Sequence, residues 1–346
     1  MKTGRIVSFA NRNGNRLRGM LHEPDPGQER GVCVLLLPPG VKGRVGPHRL
    51  YLKIAERFVS MGFHVLRFDF HGLGDSEGEI DERLLSDMYN TIQSGRYVDD
   101  TIAAMDWMKA NCKVGRFVGS GLCGGSISAL LTAAKDPRIV SMLALSIPVA
   151  FDGGEANWAR FATSQQLAGI RRGYFKRLVK PESWIRFLTG KTSYQVLWRS
   201  LKQMLPWASR TSAATPAPQQ VDGATAKPKD DTNPKFPPAF LKFVGSKRRM
   251  LLIFSGKDRL IWEFEEKFAA RYRSELEPLR DYFDVKTIEN ANHVLSDPAW
   301  VRQMLDVAAA WLNQIHPAPR SLGHHLGHAG PSDAQLITPG SETSRR

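Results

Sequence analysis

Residues 31–40, GVCVLLLPPG, form a continuous apolar run that Pro-Pro-Gly stops. A run apolar at nearly every position predicts a strand covered on both faces. Before it, RIVSFA (5–10) and RLRGML (16–21) flank NRNGN, whose Asn-Gly pair predicts a hairpin. After it, RLYLKIAERFVS (49–60) carries apolar positions at helical spacing, and Gly62 closes the helix. FHVLRFDF (63–70) predicts the next strand and HGLGDSEG the loop that follows. A helix over 92–110, a strand over 116–120, a helix over 124–134 and a strand over 139–148 continue the alternation.

The alternation then breaks. Residues 151–210 read as helical, basic and aromatic, and 211–237 are rich in Pro, Ala and Thr, the composition of a mobile linker. It resumes with a strand over 249–256, a helix near 261–273, a strand over 282–288 and a helix over 298–313. Repeated strand–helix units behind a hairpin predict an α/β fold, a doubly wound, mostly parallel sheet with antiparallel strands at its N-terminal edge. The expected organisation is a core of 1–150 and 238–315, a helical basic cap with its linker inserted at 151–237, and a disordered tail over 316–346.

Length and charge refine this picture. A chain of 346 residues accommodates one large α/β domain with an insertion. Its net charge of +14 is concentrated: 156–210 hold eleven Lys or Arg against Glu182 alone, together with nine aromatics. Aromatics at that density serve the cap's own packing and a pocket, while so lopsided a basic surface suits an anionic partner. The candidates are an anionic acyl or glycan-linked substrate, a phosphate-bearing carrier, or an anionic membrane surface. Nucleic acid is not expected, because no nucleic-acid-binding motif accompanies the charge. Cys33, Cys112 and Cys123 have neither metal-ligand spacing nor an even count, which points to a reducing, cytoplasmic setting. MKTGRIVSFANRNG lacks the apolar core of a signal peptide, and no apolar stretch is long enough to span a bilayer.

In open parallel sheets, ligands bind beyond the carboxyl ends of the strands, so the loops there are the places for chemistry. The first is FVGSGLCGGSISAL (117–130), an apolar strand, a glycine-rich turn and a helix. Cys123 stands at its centre with Gly121 and Gly125 two residues away on each side. A nucleophile held on a strained strand-to-helix turn needs small residues at those positions. Ser120 and Ser126 do not fit, one flanked by Val118 and Leu122, the other a turn into the helix. The helix dipole would favour thiolate at Cys123. A free cysteine is also often a small buried residue, and the pentapeptide alone leaves both readings open. Two further strand ends decide between them. Asp258 follows the strand RMLLIFSG and His293 follows YFDVKTI, in the order nucleophile, acid, base. His293 would take the Cys123 proton and return it to a leaving group, while Asp258 holds the other ring nitrogen. The oxyanion donors expected are the N–H groups of Gly124 and Val41, since Pro39 has none. His48 and Arg49, at the start of the first helix, are candidate substrate contacts set against a plain helix start. His71 is read as a turn residue.

RFDFHGLGDSEG (67–78), GLCGG, GKDRL and NANHVLSD together resemble the α/β-hydrolase superfamily over about 1–150 and 236–315. VGPHRLYLKIAERFVSMGFHVLRFDFHGLGDSEG with a Gly-Leu-Cys elbow is similar to a cysteine-nucleophile branch, the hydrolases associated with exosortase and exopolysaccharide gene clusters. The resemblance implies a triad of Cys123, Asp258 and His293 and gives Gly72, Gly74, Asp75 and Ser76 a turn-shaping role. The expected activity is therefore that of an esterase or thioesterase working through an acyl-thioenzyme. Acyl transfer to a glycan or carrier would use the same residues, and a non-catalytic polyanion- or membrane-binding module is the contrasting reading. No cofactor and no metal are expected. HHLGH (324–328) lies in the tail, and the elbow has no Asp for a dehalogenase.

Overall fold

The computed structural model describes residues 4–82, 84–151 and 230–318. Eight strands, β1 (Arg5–Ala10), β2 (Arg16–His22), β3 (Cys33–Leu37), β4 (His64–Phe68), β5 (Phe117–Leu122), β6 (Ile139–Leu145), β7 (Arg249–Ser255) and β8 (Phe283–Ile288), form one sheet in the order β1-β2-β4-β3-β5-β6-β7-β8. The β1–β2 and β2–β4 pairs are antiparallel, and every other neighbouring pair is parallel. The fold class and the antiparallel edge expected from the sequence are both present.

The helices are α1 (Leu50–Val59), α2 (Leu85–Gln93), α3 (Val98–Cys112), α4 (Gly124–Lys135), α5 (Phe236–Gly245), α6 (Arg259–Glu263) and, after irregular turns, α7 (Pro298–Ile315). Strand β3 shows why its sequence is apolar throughout. Cys33, Leu35 and Leu37 join the core layer containing α2, α3, α4 and α5, while Val34 and Leu36 join the layer of α1 and α7. Each large side chain so buried contributes about 1.5–3 kcal/mol. Strand β1, at the edge, alternates between exposed and buried positions over most of its length instead.

The helix expected over 92–110 is α3, beginning at Val98, and α2 before it is not among the expected elements. Gly95 sits at φ 97° and its N–H donates to the Ile92 carbonyl, ending α2 before α3 begins. The helix expected near 261–273 is the short α6 running on as a π-type turn over Phe264–Ala269.

The two ends of the insertion meet. Ala150 and Thr232 form an antiparallel bridge, the Phe151 N–H donates to Asp231 O at 2.9 Å, and the Asn233 N–H donates to Val149 O at 2.8 Å. Residues 230–237, expected in the linker, thus belong to the core, and the boundary expected at 237 falls inside α5. The basic, aromatic segment 156–210 and the HHLGH motif lie outside the described residues. Among those described, no helix is long and apolar enough to cross a membrane.

His316, expected to open a disordered tail, is instead buried against the core. Its Nε2 lies 2.9 Å from Ser141 Oγ, and its carbonyl accepts from the Arg30 guanidinium. Burial, with Arg116 and Arg30 nearby, lowers the ring's pKa from 6.5 to about 4. As pH falls below the ordinary value, the unfolded chain takes up a proton that the folded one refuses. Stability from this site is therefore full at neutral pH and declines toward pH 4. Replacing His316 with Gln should shrink the loss of unfolding free energy between about pH 7 and about pH 5, read by urea denaturation. Equal losses in the two proteins would refute the assignment.

Candidate active site

Cys123 stands alone between the end of β5 and the start of α4, with φ 53° and ψ −112°. A residue with a β-carbon adopts that conformation only where its surroundings impose it. They do so from three sides. The Cys123 N–H donates to Leu145 O at 2.9 Å. Buried Ser126 donates to the Gly121 carbonyl and accepts the Leu145 N–H at 3.0 Å, tying β5 to β6. The buried Tyr51 hydroxyl donates to Leu37 O at 2.7 Å and accepts the Leu122 N–H at 2.8 Å, tying β5 to the end of β3.

The glycines around Cys123 are required by space. A β-carbon on Gly125 would stand 2.2 Å from Leu37 O, and one on Gly121 would stand 2.6 Å from the Gly125 carbonyl carbon. A β-carbon on Gly124 would stand 3.0 Å from the Gly40 backbone. The first turn of α4 is therefore pressed against the loop that follows β3, where Val41 is placed beyond Gly40 at φ 86°. Gly124 is the first residue of α4, so its N–H is one of the helix's unpaired first-turn donors.

Asp258 and His293 reach the same place from two other loops. Beyond β7, the Gly256 N–H donates to Ile288 O at 3.0 Å and the Lys257 N–H to Ala291 O at 2.9 Å, which locks the loops after β7 and β8 together. Asp258 caps α6 with one carboxylate oxygen and lies 2.5 Å from His293 Nδ1 with the other. Cys123 stands on the same cavity wall as the His293 ring. Burial acts to lower the His293 pKa, but the hydrogen bonds to Asp258 and Cys123 and the charges on both outweigh it and raise it to about 10. Because 39% of the His293 side chain is exposed, solvent screens this pairing, and it is an argument about protonation rather than stability.

Cys123, Gly124, Asp258 and His293 share the wall of one cavity of about 360 Å³ with Tyr89, Gln93, Pro148, Ala150, Arg259 and Leu260. The three residues expected as a triad are thus brought together. His48 and Arg49 are exposed, in left-handed conformation at φ 49° and φ 58°, and are not among the residues that wall this cavity. His71 holds a turn: its N–H and its ring both meet Asp100 Oδ2, at 2.8 Å and 2.9 Å. Ser120 and Ser126 are fully buried, so neither hydroxyl competes with Cys123 for a substrate.

Residues 34–307 match the model of the alpha/beta hydrolase family. The chain belongs to the alpha/beta hydrolase family. Over 96 residues it is 31% identical to "Putative hydrolase YtaP" of Bacillus subtilis (strain 168), a match covering 26% of this chain and 32% of that protein. The chain thus spans about a third of the length of that relative. The esterase Pf2001 of Pyrococcus furiosus superposes with a TM-score of 0.52 at 18% identity, over 90% of this chain and 92% of that one. Protein PA2218 of Pseudomonas aeruginosa does so with a TM-score of 0.50 at 19% identity, over 91% and 94%. At these identities the likeness is one of fold.

Two contributors to the alpha/beta hydrolase site escape sequence reasoning. Tyr51 reads as one apolar helix position among several, and nothing local reveals its hydroxyl's partners. Asp69, at the end of β4, is fully buried: its carboxylate accepts the N–H groups of Arg44 at 2.6 Å and Asp75 at 3.1 Å. A β-carbon on Gly74 would strike the same carboxylate at 2.3 Å, which explains one glycine of the GLGDS loop. An acid at a strand's apolar end was the available signal.

The crowding at Gly125 has a measurable consequence. The atom in the way is a backbone oxygen, so Gly125→Ala must displace β3 or α4. An overpacking cost of about 1–3 kcal/mol, hence a fall of several degrees in Tm, is expected. Gly115→Ala, with open space around it, is the control. A Gly125→Ala protein as stable as wild type would show that the helix does not abut the strand end this closely.

Proposed function

We propose that this protein is an acyl hydrolase, an esterase or thioesterase, whose nucleophile is Cys123. The observation that carries the reading is the pairing of His293 Nδ1 with Asp258 at the wall of a cavity that Cys123 shares. With Nδ1 engaged by Asp258, Nε2 is the ring nitrogen left to serve the thiol. A ring with a pKa raised to about 10 is protonated at neutral pH, and that positive charge is what would favour a thiolate nucleophile at Cys123.

The thiolate sulfur attacks the carbonyl carbon, and the carbonyl π electrons move onto oxygen. The N–H groups of Gly124 and Val41 receive that oxyanion. On collapse the bond to the leaving oxygen or sulfur breaks, and the proton on Nε2 goes to the departing group. The acyl chain is then held as a thioester. Water, giving its proton to Nε2, attacks the same carbon, and the carbon–sulfur bond breaks to restore the ion pair. Asp258 keeps the ring oriented throughout and stabilises its charge. The cysteine elbow aligns the protein with the exosortase- and exopolysaccharide-associated branch of its family, and the setting we assign is the reducing cytoplasm.

The test is direct. Incubation with activated esters should leave an acyl adduct on Cys123 in mass spectrometry, and Cys123→Ala should lose it together with hydrolysis. Wild type left unlabelled across aliphatic and aromatic esters and thioesters would sink the proposal. Thiol alkylation offers an independent reading. Iodoacetamide should modify Cys123 in wild type at least about tenfold faster than in His293→Ala at neutral pH, because the variant has no imidazolium beside the sulfur. Equal rates would mean that the ring does not activate the thiol.

A further inference from the structure

Gln93 is the last residue of α2 and walls the cavity beside Cys123. It is only 5% exposed, and its Oε1 is shielded from solvent with no hydrogen-bond partner among the described residues. A buried acceptor left unmade is costly, and at a cavity wall it is where a ligand donor belongs. The Gln93 main chain is also held from behind. The Gln93 carbonyl accepts from Asn233 Nδ2 at 2.8 Å, and fully buried Asn233 closes the base of the insertion through Val149. Gln93 is thereby tied to the core and is not part of a loose surface turn.

Its location identifies which part of a substrate it meets. Helix α2 walls the oxyanion side: Ile92 lies 3.3 Å from where a β-carbon on Gly124 would stand, and Tyr89 3.1 Å from one on Gly40. His293, which protonates the leaving group, enters on a separate element, the loop after β8. The acyl part of the substrate then faces α2.

From this we infer that Gln93 is a specificity-determining residue that selects acyl groups bearing a hydroxyl or amide N–H. The inference rests on the acyl-enzyme reading for the direction of the acyl chain. An acyl group with such a donor satisfies Oε1. A plain alkyl chain leaves it unpaired, and sites built around a hydrogen bond reject analogues lacking it far more strongly than apolar pockets reject a missing methylene.

The experiment compares binding and turnover. Butyrate, its isomers hydroxylated at the second, third or fourth carbon, and N-acetylglycine are titrated by ligand-observed NMR into wild type, Gln93→Met and Gln93→Leu. Folding of each variant is checked by thermal unfolding. At least one donor-bearing acid should bind wild type roughly tenfold or more tightly than butyrate, and that ratio should fall to within about twofold of unity in both variants. The same ratio should appear in kcat/KM for the matching activated esters. A wild type without any such preference overturns the inference, and so does a preference that survives in the variants. If neither variant folds, the wild-type series alone decides. Because acid binding needs no chemistry, this outcome is separate from that of Cys123 labelling: absent labelling removes the nucleophile, while absent preference removes only the role of Gln93.

Discussion

The site depends on one steric fact, the contact of helix α4's first turn with the end of strand β3. At Gly125 there is no room for a β-carbon against Leu37 O. That contact fixes three things together. It places Cys123 at the tip of a turn whose backbone is held in an unfavourable region. It brings the Gly124 N–H beside the loop carrying Val41. It also closes the underside of the elbow, where the Tyr51 hydroxyl bridges β3 and β5 with both of its hydrogen bonds made. Removing solvent from Tyr51 raises its pKa above the ordinary phenol value, so the hydroxyl stays neutral and its bridge is insensitive to pH over the working range.

Against this rigid half stands a half built from loops. Asp258 and His293 arrive on the connections after β7 and β8, and two backbone hydrogen bonds between those connections take the place of helix packing. The division is chemically sensible. On the proposed mechanism, the nucleophile and the oxyanion donors must hold a fixed geometry, whereas the imidazole exchanges a proton in both directions and is more open to solvent.

Much of this was legible in the sequence because it depends on local patterns. An all-apolar β3 can only be a doubly covered strand, and alternation of such strands with amphipathic helices leaves few topologies. The order of Cys123, Asp258 and His293 at successive strand ends was readable for the same reason. Other features were not. The short helix α2 was missed because it buries little of its surface, only Met88, Ile92 and Gln93. Residues 230–237 have a linker's composition, yet Asn233 and Thr232 bind them to residues some 80 positions earlier in the chain. His316 opens a stretch rich in Pro and Gly but completes the last helix's packing through Ser141, 175 positions away. The partners of Tyr51 and Asp69 are likewise remote. Long-range pairing of single polar atoms leaves no periodic trace, which is why these residues escaped while the triad did not.

On the proposed mechanism, sulfur in place of oxygen suits the same surroundings. A serine at this elbow would remain neutral at rest, and the ring would take its proton only as attack proceeds. The proposed mechanism instead uses a positively charged ring held by Asp258 in a cavity that Cys123 shares, an arrangement that would stabilise separated charge before substrate arrives. A resting thiolate needs no proton transfer to attack, and the imidazolium is already the acid that the leaving group needs. The acyl group then sits on sulfur, and a thioester's carbonyl carbon is more open to amine, thiol and alcohol nucleophiles than an oxygen ester's. Whether water or another acceptor completes the cycle is consequently decided by what can stand beside His293 Nε2, because every acceptor must give up its proton there. Cleavage of the carbon–sulfur bond is common to both outcomes, so hydrolysis and transfer differ only in the occupant of that one position.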